Sequence, residues 1–385
     1  MLPFPVRSHS VTGYRSMDFV FDSLAVSAAS DCDADLPWLA EFFGPACRVR
    51  EEDGRAIRAV RLRADGPLHA AYSRAVSRAA NTAVGFVMDG GAVTLPAFRD
   101  GPIRVAHDPV FDVFYRIGTP HSVEVIDRPT ADPRTPRRAR GALMRVVREW
   151  AMYRARADGH LALHAAGIAR SGQGVLFAGA KRSGKTTLTA ACLLGGAGWG
   201  LLANDRILLR RRGSAWQCRG MASIVSVRPG SFGQLPGLAD RLASVTGGAF
   251  ARVDESVAPA PLVDGRTSLS PAGFAMALGT SLVGEARLHA VALPSIDGDG
   301  EGLLCRSLGP GIATARLEAA LFAAATPLLR SELFEEPGEV ALPDEAALRS
   351  SVAGLVAEVP CVEIALGRSA YASAAVSELL HSLVG

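Results

Sequence analysis

Lysine is nearly missing from this 385-residue chain: only Lys181 and Lys185 occur, and the other 39 of its 41 basic residues are arginine. Both lysines fall in one short loop. A chain that uses guanidinium almost everywhere keeps the compact ammonium where chemistry needs a point charge. Cysteine is sparse as well. The six thiols (Cys32, Cys47, Cys192, Cys218, Cys305, Cys361) are scattered with no C-x-x-C pair. That spacing excludes a zinc ribbon and a disulfide framework, and points to free thiols in a reducing compartment. The start, MLPFPVRSHS, lacks the basic-then-apolar layout of a signal peptide. No apolar run is long enough to span a bilayer. The longest, Leu188 to Ala203, is interrupted by Gly195, Gly196, Gly198 and Gly200 and reads as helix, turn and strand. A formal charge of +3 is small for this length and argues for neither nucleic acid nor an anionic membrane. The one basic cluster, Arg134 to Arg140, reads as a solvated linker and helix start. The expectation is a soluble, cytoplasmic protein with no nucleic-acid or membrane partner.

What the chain does contain is an ordinary core-forming composition, 49% apolar and 21% charged, and enough length for two domains. Residues 1–132 alternate as strands do, for example Asp18 to Asp22, Ala56 to Arg63 and Ser122 to Ile126. Asp89-Gly90-Gly91 between apolar runs predicts a hairpin turn, and helices are predicted near Ala34–Phe43 and His69–Ala80. This is an α+β domain without a catalytic motif. Proline and arginine crowd 128–136 as a linker, so a second domain is assigned to 133–385. It opens with a helix over Arg138–Ala157, predicted to pack on that second domain. Strands at Leu161–Arg170 and Gly174–Ala178 follow, joined by a hairpin at Ser171-Gly172-Gln173. A helix from Lys185 to Leu194 and a strand from Gly200 to Asp205 come next, and the Pro-rich stretch 258–271 reads as a mobile loop.

The loop between the second strand and its helix is Gly179-Ala180-Lys181-Arg182-Ser183-Gly184-Lys185-Thr186, followed by Thr187. It matches the Walker A pattern G-x-x-x-x-G-K-T at every fixed position. Glycines let the backbone curl until its N–H groups face a phosphate, and the helix adds its positive end. Lys185 is then expected on the β- and γ-phosphates, and the Thr186 hydroxyl on Mg²⁺. Lys181 and Arg182 either touch phosphate or project into solvent. Asp205 ends the next strand, where a doubly wound sheet would aim it at the phosphate loop. It would hold Mg²⁺ or take the proton of an attacking hydroxyl. A base-reading N-K-x-D motif is excluded, because no lysine exists to supply it.

The segment from Leu163 to Arg206 resembles HPr kinase/phosphorylase, the bacterial serine kinase whose fold is akin to phosphoenolpyruvate carboxykinase. His164-Ala165 stands where that family carries a histidine-glycine pair, and Ala203-Asn204-Asp205-Arg206 is similar to its acidic motif. Cys218 to Val225 is weakly similar to its Arg-Gly-Leu-Gly-Ile stretch. Two positions depart from the pattern: Asn204 replaces the first aspartate, and Gln217 stands at the metal-associated glutamate. The resemblance implies an α/β P-loop kinase domain of this type with a separate N-terminal domain that recognises the acceptor. It further implies ATP and Mg²⁺ as cofactors, Asp205 as general base, Lys185 as charge stabiliser and His164 as orienting residue. The implied acceptor is a serine-like hydroxyl on a protein or peptide, including a biosynthetic precursor peptide, and the family tends to form homo-oligomers. A small-metabolite kinase of the same fold and a non-catalytic nucleotide-binding scaffold are the alternatives.

Overall fold

The computed structural model describes residues 14–52, 54, 56–78, 82–88, 91–119, 121–129, 137–195, 198–246, 267–297, 299–322 and 342–384. Nine strands form the first sheet: β1 (Arg15–Phe21), β2 (Leu24–Ser30), β3 (Arg48–Glu51), β4 (Arg58–Ala64), β5 (Thr82–Met88), β6 (Gly91–Asp100), β7 (Ile103–Asp108), β8 (Val113–Thr119) and β9 (Ser122–Asp127). Their order is β3-β1-β2-β4-β9-β8-β7-β6-β5, with β2–β4 and β4–β9 parallel and the other pairs antiparallel. The period-2 pattern explains the buried face. In β4, Val60 and Leu62 are buried while Arg61 between them is exposed.

Helix α1 (Asp35–Phe43) buries Leu36, Leu39, Phe42 and Phe43. Helix α2 (Gly66–Val76) begins three residues before the predicted start and ends four before the predicted end. Asp65 caps it by accepting from the Leu68 N–H at 3.0 Å, with proline in the first turn. Residues 89 and 90 of the predicted hairpin turn lie outside the described residues, although Met88 pairs with Gly91 across it.

Helix α3 (Ala139–Ala157) lies where the two sheets meet. It contacts β10 (Leu161–Arg170), the first strand of the second domain, and beyond that expectation β2, β4 and β9 of the first sheet. Apolar Leu143, Val146, Val147 and Trp150 join the first sheet's core, and so do Leu208 and Met221 from the second sheet. Four of its arginines, Arg140, Arg145, Arg148 and Arg156, are buried too. Arg145 pairs with Asp108, and Arg137, just before α3, sits 2.7 Å from both Asp31 and Asp35.

The second sheet contains β10, β11 (Gln173–Ala178), β12 (Gly200–Ala203), β13 (Arg206–Arg212), β14 (Ala215–Met221), β17 (Glu285–Ile296), β18 (Leu303–Ser307) and β19 (Cys361–Leu366). Strands β15 (Val225–Val227) and β16 (Thr267–Leu269) form a separate ribbon. The β10–β11 hairpin turns on Ser171 (φ 51°) and Gly172 (φ 78°), two left-handed residues suited to a right-twisted ribbon. The sheet is mixed and, with its helices, agrees with the expected α/β class. Among the described strands of this sheet, β11–β17 and β17–β19 run parallel, and β12 runs antiparallel to β10. Of the Pro-rich stretch, residues 267–271 are not loop: they supply β16 and the first turn of helix Pro271–Ala277.

Candidate functional site

Three parallel strands end on the same side. The Walker loop follows β11, Asp297 follows β17, and Gly367 follows β19, and residues at all three ends line one cleft of about 540 Å³. Ligands of α/β proteins sit at such carboxyl ends. Helix α4 (Lys185–Gly195) starts at the loop and rests on helix Ser373–Val384.

The loop has the curled backbone a phosphate cradle needs. Arg182 adopts φ 72° and Gly184 φ 93°. A Cβ on Gly184 would lie 2.7 Å from Leu366 Cδ1 and 3.1 Å from both Ile296 Cδ1 and Tyr371 Oη, so glycine alone fits. Lys181, Arg182, Gly184, Lys185, Thr186 and Thr187 line the cleft, and Lys181 and Arg182 are exposed there. Gly179, Ala180 and Ser183 shape the loop without lining the cleft. The Lys185 ammonium donates to the carbonyls of Gly179 at 2.7 Å and Ala180 at 2.8 Å. Burial lowers its pKa, and Asp205 partly restores it.

Asp205 reaches the cleft by a route the sequence did not reveal. Strand β10 pairs with β13 through residues 161–164 and with β12 through 167–169. Asn204 and Asp205 form the bend between those two partners, so β12 ends at Ala203 and not at Asp205. His164 stands directly opposite Arg206, which brings its Nε2 to 2.8 Å from Asp205 Oδ1. Burial alone would raise the Asp205 pKa. The hydrogen bond and charge of His164, then Arg206 and Lys185, outweigh it and hold the carboxyl at about 2. It is a fully ionised acceptor at neutral pH.

Two supporting residues had no signal in the sequence. Phe322 pairs its backbone N–H with the Ala162 carbonyl at 2.8 Å. Its ring lies 5.6 Å from the His164 ring and 5.0 Å from the Arg206 guanidinium. Glu149 on α3 holds the other side of Arg206, with Oε1 3.5 Å from Nη1. The pairings that bring 149 and 322 beside 206 are long-range, beyond any local pattern. Gln217, by contrast, does not line the cleft; it pairs with Arg210 and Arg287 within the sheet.

The residues present fit a magnesium-bound triphosphate. Gly184, at φ 93° and without room for a Cβ beside Leu366, keeps the loop backbone curled and bare, and Asn204 Oδ1, in the cleft wall, is buried without a hydrogen-bond partner. Thr186 and Asp205 are the residues that would hold the ion. The described residues contain no cluster of three or more His, Cys, Asp or Glu placed to bind a metal, and Mg²⁺ needs none because phosphates and water complete its shell. Among the described residues no helix is long and apolar enough to cross a membrane. No protein-family model matches the chain, and no curated protein matches it.

Proposed function

We propose that this chain is an ATP-dependent phosphotransferase of the HPr-kinase-like type, acting on a serine-like hydroxyl. The observation that carries the reading is the pairing, in one cleft, of a complete Walker loop with an ionised Asp205 fixed by His164.

In this reading the loop N–H groups and Lys185 hold the phosphates. Lys185 leaves its loop carbonyls to balance charge on the transferring group. Thr186 and Asp205 would hold Mg²⁺, which would supply further neutralisation of the phosphate charge. Asp205 orients the acceptor hydroxyl and receives its proton late in the transfer, as a weak base can when the oxygen has already lost most of its basicity. The acceptor oxygen forms a bond to the γ-phosphorus and the bond to the β,γ-bridging oxygen breaks, so ADP leaves. The proton on Asp205 passes to solvent. His164 donates from Nε2 to Asp205 and keeps the carboxylate turned toward the acceptor. Glu149 and Phe322 hold Arg206 beside it, with Nε 3.7 Å from Asp205 Oδ2, where its charge helps keep the carboxylate ionised. The nine-stranded sheet, joined to the cleft through α3, is the proposed acceptor-recognition domain.

The test is incubation with γ-labelled ATP and Mg²⁺, alone and with cell lysate, beside Lys185→Ala and Asp205→Asn. Label on a discrete acceptor, lost in both variants, supports the kinase. Nucleotide binding by the wild type and by Asp205→Asn without labelled product in any arm would replace it with a nucleotide-binding scaffold.

A further inference from the structure

Six cationic side chains line the cleft (Lys181, Arg182, Lys185, Arg206, Arg228 and Arg368) against two carboxylates, Asp205 and Asp297. A triphosphate keeps roughly two negative charges once Mg²⁺ offsets the rest, so it leaves part of that excess unmatched. Most of these groups already have an assignment. Lys181, Arg182 and Lys185 belong to the phosphate loop. Arg206 is shared by Glu149 and Asp205, at 3.5 and 3.7 Å, and Arg368 faces Glu301 at 4.0 Å. Asp297 is spent on its own loop, accepting the N–H groups of Asp299 and Gly300.

Arg228 is different. It is half-buried and has no hydrogen-bond or ion-pair partner for its side chain among the described residues. It stands on a separate wall, between β15 and helix α5 (Pro229–Gln234). That wall is fastened to the phosphate helix by Ser231, whose Oγ lies 2.8 Å from Thr187 Oγ1. Ser226 and Gln234 line the cleft from the same wall. A second, independent observation lies beside Asp205: Asn204, 9% exposed, keeps its Oδ1 buried and unpartnered in the cleft lining. One region thus lacks a hydrogen-bond donor and the other lacks an anion. A molecule with an N–H or second O–H beside the reacting hydroxyl, whose own proton faces Asp205, would satisfy the first, and a negative charge would satisfy the second.

We infer that the acceptor carries an anionic group, a carboxylate above all, close to the hydroxyl that is phosphorylated, and that Arg228 recognises it. The inference rests on the kinase reading above. The same chemistry occurs in a serine flanked by acidic residues or by a free chain terminus, and in a small hydroxy acid. Both sources satisfy Arg228; they differ in what else must fit the cleft.

The experiment uses the full chain, γ-labelled ATP and two sets of acceptors. One is a serine peptide library with acidic, neutral or basic flanks and with free or amidated C-termini. The other is a panel of hydroxy acids beside their amides. Wild type is expected to label acidic or free-carboxylate acceptors, and whichever set is labelled names the source. Arg228→Gln should raise KM for that acceptor about 10- to 100-fold, the loss of one charge-assisted hydrogen bond, with KM for ATP little changed. Arg228→Glu should move the preference toward basic acceptors, which damage to the fold would not do. Labelling without charge preference, or a change in KM for ATP instead of the acceptor, overturns the inference and leaves the kinase standing. No label on any compound, with ATP still bound, removes both.

Discussion

Replacing Glu149 with glutamine tests whether α3 holds the site in place. Glu149 Oε1 accepts from Arg148 Nε at 3.1 Å and Nη2 at 2.9 Å, and lies 3.5 Å from Arg206 Nη1. All three side chains are nearly enclosed, at 8, 11 and 9% exposure for Arg148, Glu149 and Arg206. At an effective dielectric of ~20, the attractions amount to about 6 kcal/mol at 2.9 Å and about 5 at 3.5 Å before desolvation is charged against them. Desolvation cancels most of that, but removing one partner strands the others, at about 3–5 kcal/mol. Glutamine keeps one acceptor oxygen, so the lower end, about 3 kcal/mol, is expected in urea unfolding. Arg148 is already strained: burial, then repulsion from Arg206, lowers its pKa to about 10. In an Arg206→Met background that repulsion is gone, and Glu149→Gln should cost at least about 1 kcal/mol less. The pH dependence has a definite sign. Burial opposes ionisation of Glu149, but Arg148 and Arg206 win and lower its pKa. Its contribution is therefore complete above the unfolded value, near 4.5, and is lost as pH falls below it. A cost under about 0.5 kcal/mol at pH 7, or the same cost in both backgrounds, would refute the network.

Three further outcomes follow from the geometry. Gly184→Ala puts a Cβ 2.7 Å from Leu366 Cδ1 at φ 93°, so nucleotide affinity measured by calorimetry should fall about tenfold or more. Gly172→Ala is strained at φ 78° but meets open space in a distant turn, and should lower stability while leaving that affinity alone. Burial pushes the thiols of Cys47 and Cys218 up to about 12 and of Cys361 to about 11, with Cys192 also raised. A disulfide-exchange reagent at pH 8 should therefore find few reactive thiols in the native protein, and all six only in denaturant.

The parts of the site legible in the sequence are those whose geometry is encoded within a few residues. A strand, a glycine-framed turn and a helix fix the Walker loop locally, and the structure places all three as read. Asp205 was legible as a residue but not as a position. Its placement depends on β10 changing partners from β13 to β12, a long-range event with no sequence period. The same reason hid β17. Pro294 argues against a strand interior, yet pairing with β11 stops at Ala292, so the missing N–H falls where only β19 remains as a neighbour. Charge misled most on α3. Arg137 and Arg140 belong to the cluster read as solvated, yet both are buried, as are Arg145, Arg148 and Arg156 further along the helix. For three of them the partners come from sequence-distant or adjacent acids: Asp31 and Asp35 for Arg137, Asp108 for Arg145, Glu149 for Arg148. A guanidinium buries its stem with little cost and spreads its charge over several donors, so an arginine-rich helix can be a core element where a lysine-rich one cannot. The scarcity of lysine and the burial of α3 are thus one observation. Arginine does the structural pairing in this chain, and its single buried lysine among the described residues, Lys185, lies in the phosphate loop.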